Sequence, residues 1–546
     1  MLILLFLTIV MIPTLSGWGK FFESVFKTQL FDGISGKSLT GIFVITVIWT
    51  ILAFFIPLNI YVEVPTILVG LFYFFKEKLF KEFYTFTQKE TVLLVTISCV
   101  ILFCGSYYPF ILDHYGYYVP TINWLKEYGL VKGISNLDLT LGQMSLWHIF
   151  QAGFSNFSDP FLRINAILLI IYTFYIIEKK SWVQLCFIPF FLFFCQSPSP
   201  DLPVLIFSLI ILREILSGNT NATFIFAFSV FVFAIKPTMI WLPFLSFFYC
   251  AYITKAHFKV FFFGILIALL FFIKNIWTFG YPIFPVTFFD LGISWKPNPV
   301  LLQSSSQYAI LKTYDAQYSY KQIQHFSAFD LIKNWLFLTG IKSYIHIFFI
   351  ISLIIFTLYA AIKKNKIITF IWVSLIIKSI MVLAFSAQYR FFMDVFFVIF
   401  FVMLFDFFTP KKSLAVFSVL CLISVVFLSF PGLLQTYIPS FKVGGFMGKF
   451  EIKQLYRPSI YHYKKYNSFK IGNLKYHVSE QYPFNFDTPL PSISESFIFD
   501  DHNAGIFPQC IDSKNIRKGF IWKKMTPEEK KESQTVIDKI KNTYSH

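Results

Sequence analysis

Five charged residues interrupt a chain that is otherwise strongly apolar around them. Asp113 directly follows an apolar stretch that ends in Tyr and Pro, and Asp201 lies in the stiff segment SPSPDLP just ahead of another. A carboxylate at a membrane boundary is costly unless solvated or paired, so such acids are functional candidates by default. Lys236 closes an apolar stretch in AIKPT, Lys274 closes one in FFIKNIW, and Arg390 opens one in SAQYRFF. A carboxylate can take a proton as a general base. Lys and Arg can neutralise a phosphate, Arg with two parallel N–H donors. Plain alternatives stand beside these roles: Asp201 suits the start of a helix ahead of Pro203, and a single boundary cation can snorkel. Two separated acids are too few ligands to decide on a divalent ion, magnesium or manganese.

These residues take their meaning from the elements that carry them. Of 546 residues, 56% are hydrophobic and only 14% charged, and mean hydropathy is +0.65. A soluble domain carries roughly 25% charged residues, so a water-soluble enzyme is excluded. The composition predicts an all-α polytopic membrane protein with about 12–14 transmembrane helices. Apolar stretches lie near 1–17, 41–60, 62–76, 91–108, 160–177, 183–196, 203–216, 222–236, 238–254, 258–274, 343–361, 367–385, 391–409 and 413–431. The first lacks the positive flank and small-residue cleavage site of a signal peptide, and reads as a retained helix. The net charge of +17 sits in short clusters between these stretches, which reports membrane orientation and not nucleic-acid binding. The 7 cysteines show no CxxC or Cys/His spacing, so neither a disulfide framework nor a zinc site is expected. Walker, Rossmann, GxSxG, HExxH and kinase signatures are missing as well.

Lysines gather near 20–37, 76–89, 179–180, 255–259, 363–366 and 411–412, on alternate connections. Short-loop basic bias sets orientation, so these connections are expected in the cytoplasm. The segments 109–159, 275–342 and the tail from 432 onward then lie outside, as do Asp113, Asp201 and the three cations. The division is a transmembrane domain over 1–432 and an extracytoplasmic α/β domain over 433–546. In the tail, SFKIGNLKYHVSE (468–480) and SFIFDD (496–501) alternate like strands. Thr526, with early acids and late lysines, opens a surface helix. In the first long loop, Pro120 and Gly129 bracket an amphipathic helix that sets Ile122, Trp124, Leu125 and Tyr128 against Asn123, Lys126 and Glu127. A second such helix is expected over 141–153, carrying Trp147 and His148. Both would lie along the membrane surface.

An acid after an early span, paired interfacial helices, a second acid on the same face and nearby cations together resemble the GT-C class of integral-membrane glycosyltransferases. The segments LDHYGYYVPTINWLKEYGLVKGISNL, SPSPDLP, KNIWTFGYPIFP with SWKPNP, and AQYRF are similar to those of a family of polytopic bacterial membrane proteins found among Bacteroidetes and spirochaetes and often classed with GT-C enzymes. Asp113, Tyr117, Trp124, Asn136, Leu137, Asp201 and Arg390 fit that pattern. Tyr118 and Thr140 depart from it, standing where a His and a basic residue occur. The resemblance implies sugar transfer from a polyprenyl-phosphate donor to a glycan, lipid or protein acceptor at the outer face of the cytoplasmic membrane. Asp113 and Asp201 would be catalytic, and Lys236, Lys274 and Arg390 would hold the donor phosphate. Tyr117, Trp124, Asn136 and His148 would line the substrate. The competing reading is a non-enzymatic transporter of lipid-linked glycan, or a structural subunit of an envelope complex.

Overall fold

A computed structural model describes residues 1–437 and 448–544. The first residues of the expected polar tail, 440–447, and its last two lie outside the described residues. Each apolar stretch predicted from the sequence contains helix, although 54–59 and 405–409 lie outside helices and 183–196 is mostly 3-10 turn. Among the described residues, seven helices are long and apolar enough to cross a membrane: Leu2–Phe26, Ile34–Ala53, Gln88–Gly105, Phe258–Phe279, Ile341–Lys363, Lys366–Phe385 and Pro410–Ser429. The chain is a multi-pass membrane protein. Several of the remaining expected spans are short apolar helices, among them Ile164–Glu178, Ala222–Ile235 and Met393–Leu404. The Ile164–Glu178 helix has 15 residues, about 22 Å, against a hydrocarbon core of roughly 30 Å. It tolerates the shortfall because every residue from Ile164 to Ile177 is buried by other helices, so protein and not lipid meets its ends. Small residues allow the tightest contacts. A Cβ on Gly17 would fall 1.8 Å from the Gly70 carbonyl oxygen, which leaves room only for glycine between the Leu2–Phe26 and Ile60–Lys76 helices.

Helix ends gather into two sets. At one, the Leu130 N–H donates to the Ala53 carbonyl (2.7 Å) and the Leu58 N–H to that of Leu125 (2.9 Å). At the other, Glu178 accepts from the Ile34 N–H (2.9 Å), Asn219 donates to the Leu30 carbonyl (2.9 Å), and the Tyr249 hydroxyl donates to the Asn219 carbonyl (2.8 Å). The C-terminal domain sits on the first end. Its strands β1 (Tyr466–Ile471) and β2 (Leu474–Ser479) pair antiparallel, as do β3 (Ile506–Cys510) and β4 (Phe520–Lys524). The expected helix is Pro527–Thr543, opened by a capping box of Thr526 and Glu529. The expected strand at 496–501 is instead the helix Glu495–Ala504. Ile498 and Asp501, three apart, form its buried face, and Gly505 ends it in a left-handed conformation. Arg163, wholly buried, ties the domain down: it donates to the carbonyls of Gly105 (2.8 Å), Tyr107 (3.2 Å) and Ser459 (2.7 Å).

Candidate functional site

The two acids meet at the end of the bundle that bears the C-terminal domain. Asp113 precedes a single wide turn, His114–Tyr118, in which the Val119 N–H reaches back five residues to the His114 carbonyl. Pro120 explains the widening: it has no N–H for the Gly116 carbonyl, and its ring crowds that position. Ser197 and Ser199, on either side of Pro198, hold this turn beside Asp201. Ser197 Oγ lies 2.9 Å from His114 Nδ1, and the Tyr118 hydroxyl donates to Ser199 Oγ at 3.4 Å. Asp201 is the first residue of the helix Asp201–Leu216 and makes no capping bond; Pro200 occupies the cap position. Its carboxylate instead accepts from Ser199 Oγ (3.1 Å) and pairs with Lys236.

Arg390 joins the acids. Its Nη2 lies 3.0 Å from Asp113 Oδ2 and 3.8 Å from Asp201 Oδ2. The result is an alternating chain, Asp113–Arg390–Asp201–Lys236, whose formal charges cancel. The Phe391 ring lies against both cations, 5.4 Å from Lys236 Nζ and 5.9 Å from the Arg390 guanidinium carbon. Exposure divides the cluster. The Asp113 and Arg390 side chains are 34% and 35% exposed, those of Asp201 and Lys236 14% and 12%. The outer pair is open to a ligand and the inner pair supports it. A divalent ion shared by the two acids fits this arrangement poorly, because the Arg390 guanidinium occupies the space between them. Among the described residues, no three His, Cys, Asp or Glu side chains converge as a metal site.

A model of the domain of unknown function DUF8201 matches residues 1–397, and the whole cluster falls within the match. The chain belongs to the DUF8201 family. No curated protein and no solved structure matches it.

The other predicted site residues of this DUF8201 member are distributed differently. Tyr117 lies beneath Asp113, its ring 4.6 Å from Tyr118 and 5.7 Å from His148. His148 is wholly buried, 4.8 Å from the Tyr118 ring. Burial, followed by the charge of Lys274, pushes its pKa down to about 3, so it is a neutral imidazole. Neither ring nitrogen makes a well-formed hydrogen bond, although the Pro198 carbonyl acts on the ring. Lys274 does not join the acids: it is buried and donates to the carbonyls of Met144 (2.8 Å) and Gln143 (3.3 Å). Trp124 and Asn136 also lie apart from the cluster. Trp124 is buried against Tyr128 and Phe520. Asn136 Nδ2 donates to the carbonyls of Trp295 (2.8 Å), Gly133 (3.0 Å) and Phe520 (3.3 Å), and so knits both long loops to strand β4.

The interfacial helices need correction. Val119–Glu127 is helical, but Ile122, Trp124 and Leu125 are buried under the C-terminal domain and the bundle. The second helix, Leu146–Phe154, is buried at every residue. Two of its polar side chains find partners inside: Trp147 Nε1 donates to Asn165 Oδ1 (2.8 Å) and Gln151 Nε2 to Asp159 (3.1 Å). Sequence reasoning passed over Lys378 and Asp394, a wholly buried ion pair whose carboxylate also accepts from Trp241 Nε1 (2.8 Å). The available signal was a charge inside an apolar run, IIKSIM, which by itself calls for a partner. Asp394 follows Arg390 by one turn, and Trp241 follows Lys236 closely, so this pair fixes the backbone under both cluster cations.

Proposed function

We propose that this protein is a membrane glycosyltransferase of GT-C type. It moves a sugar from a polyprenyl-phosphate donor to an acceptor hydroxyl at the outer face of the bacterial cytoplasmic membrane. The observation that carries the reading is the open Asp113–Arg390 pair backed by Asp201 and Lys236. An acid and a guanidinium, side by side and partly exposed, supply the two functions that the reaction needs.

In the reaction the acceptor oxygen bonds to the anomeric carbon. The bond from that carbon to the phosphate oxygen breaks, and the electron pair leaves on the lipid phosphate. Asp113 takes the hydroxyl proton. In the structure its carboxylate is held by Arg390. An arriving donor phosphate competes for the guanidinium, draws Arg390 from Asp113 and frees the carboxylate as the base. Arg390 then faces the phosphate where charge grows in the transition state. Asp201 holds Lys236 and the rear of Arg390, a positioning role. Tyr117, Tyr118 and neutral His148 form the dry wall beneath, and Lys274 supports that wall from behind.

The test is sugar transfer by purified full-length protein from a polyprenyl-phosphate sugar. Asp113→Asn keeps the size of the side chain but cannot act as a base. A loss of about 10²–10⁴ in rate is expected, with folding retained. Full activity in this variant would remove Asp113 as the base. Donor binding without turnover in the wild type would favour a transporter or a structural subunit. The lysine asymmetry supports the orientation. In a cysteine-free background, a cysteine at exposed Lys464 should react with an impermeant thiol reagent in cells whose outer membrane has been permeabilised, and one at exposed Asn365 should not.

A further inference from the structure

A second cationic site lies at the junction of the membrane domain and the C-terminal domain. A cavity of about 350 Å³ is lined by Phe54, Leu130, Lys132, Trp277, Arg517 and Lys518, with Ile511 and Asn515 at the domain side. None of these residues belongs to the Asp113 cluster. The walls are firmly built. Trp277 Nε1 donates to the Leu130 carbonyl (3.1 Å), and the Gly133 N–H donates to that of Trp277 (2.8 Å). The Phe520 N–H donates to the Lys132 carbonyl (3.0 Å). Gly519 permits that approach: its φ is +104°, and a Cβ there would fall 2.1 Å from the Lys132 oxygen. The β3–β4 connection is thereby pressed onto the loop that carries Lys132, bringing Arg517 and Lys518 to the same cavity.

Three cations therefore converge with little compensation. Lys518 pairs with Asp512 at 2.9 Å. Lys132 sits over two indole rings, 4.5 Å from that of Trp295 and 5.1 Å from that of Trp277. No salt bridge to Lys132 or Arg517 is found among the described residues. Like charges gathered in one cavity repel unless an anion lies between them, and Arg and Lys together suit phosphate oxygens. The other lining residues indicate the anion's source. Phe54 and Trp277 lie at the ends of the membrane helices Ile34–Ala53 and Phe258–Phe279. One turn deeper on the same faces are Ile51 and Ile273, 47% and 55% exposed. Tryptophan at the end of a span marks the headgroup level. The cavity thus stands where a lipid phosphate would be, above surfaces that acyl chains would cover.

We propose that this cavity binds the phosphate of an anionic glycerophospholipid, which bridges the C-terminal domain to the membrane domain. The binding is separate from sugar transfer and does not depend on it. The experiment uses delipidated full-length protein, with retention of phosphatidylglycerol or phosphatidylcholine read by native mass spectrometry and thermal unfolding measured alongside. Phosphatidylglycerol should be retained in preference to phosphatidylcholine. The double variant Lys132→Gln/Arg517→Gln should lose roughly tenfold or more in that retention, as expected for the removal of charge-assisted contacts. Arg517→Gln alone, in the connection between two strands, should weaken it with lipid-free melting unchanged. Arg390→Met should retain the lipid, which separates this site from the proposed donor site. Equal retention of the two lipids, or undiminished phosphatidylglycerol retention in the double variant, would overturn the proposal. Inorganic phosphate displacing phosphatidylglycerol at millimolar concentration would also overturn it, in favour of a site for soluble phosphates.

Discussion

The Asp113–Arg390–Asp201–Lys236 cluster and the Lys378–Asp394 pair use the same charges within one turn of each other, yet they do different work. The Lys378 and Asp394 side chains are 0% and 5% exposed, against 35% and 34% for Arg390 and Asp113. A closed pair has no water or ligand to exchange with, so its attraction serves to hold segments together. An open pair can trade one partner for an incoming group. Burial, and not residue type, separates the lock from the site.

The largest expected effect tests the lock. Lys378→Met leaves Asp394 buried beside Trp241 without its cation, which should cost about 3–5 kcal/mol in thermal unfolding. Lys378→Met/Asp394→Leu should recover most of that loss, because replacing a whole buried pair by apolar side chains is often neutral. Arg390→Met should cost only about 0–1 kcal/mol, as for exposed pairs. Equal losses in Lys378→Met and Arg390→Met would erase the distinction.

A third carboxylate group sharpens the comparison, because among the described residues no salt bridge to it is found. Asp138, in the first long loop, lies near Asn485 and Ser494 of the C-terminal domain at 3.4 and 3.3 Å. Burial pushes its pKa up to about 6, against hydrogen bonds from Thr140. Burial, then the nearby Asp500 and Asp138, pushes Asp501 well above the usual carboxylate range. A carboxyl raised on folding contributes stability that is fully present below its unfolded pKa and lost as pH rises through the folded one. Docking of the C-terminal domain should therefore strengthen as pH falls from 7 to 5, by an amount on the order of 1–3 kcal/mol. Hydrogen exchange at strand β4 measures it. Asp138→Asn should flatten the slope, and a slope unchanged by this variant would remove Asp138 from the account.

The smallest effect concerns geometry within the open pair. Arg390→Lys keeps the charge but loses the planar fork. Retention of polyprenyl phosphate should fall roughly tenfold, the loss of about one charge-assisted contact. Unchanged retention would mean that Arg390 acts as a point charge only, as a snorkelling cation would.

The site was partly legible in advance. Asp113, Asp201, Lys236 and Arg390 were visible as charges at the edges of apolar runs, and they do meet. Lys274 had the same signature, yet it is held by carbonyls at 143–144. Spacing along the chain cannot tell a cation aimed at an acid from one aimed at backbone. The segment 141–153, carrying Trp147 and His148, reads from the sequence as an interfacial helix, yet the helix there, Leu146–Phe154, is buried. Gln151 finds its partner in Asp159 inside the protein, while His148 packs against the Tyr117 and Tyr118 rings. Polarity alone does not report whether water or protein surrounds a group.

What the sequence by itself determined is the membrane habit, the helical segments and the polar C-terminal appendage. Each follows from local composition: long apolar runs cannot be solvated, and their backbones must bond internally. Tertiary structure alone decided which boundary charges pair and which helices are hidden. It also brought Lys132, at the first loop, beside Arg517 and Lys518, near the far end of the chain. These outcomes depend on contacts between residues hundreds of positions apart, and on how much water the packed elements leave between them. No local pattern carries that information, because the energy of a charge is set by its surroundings.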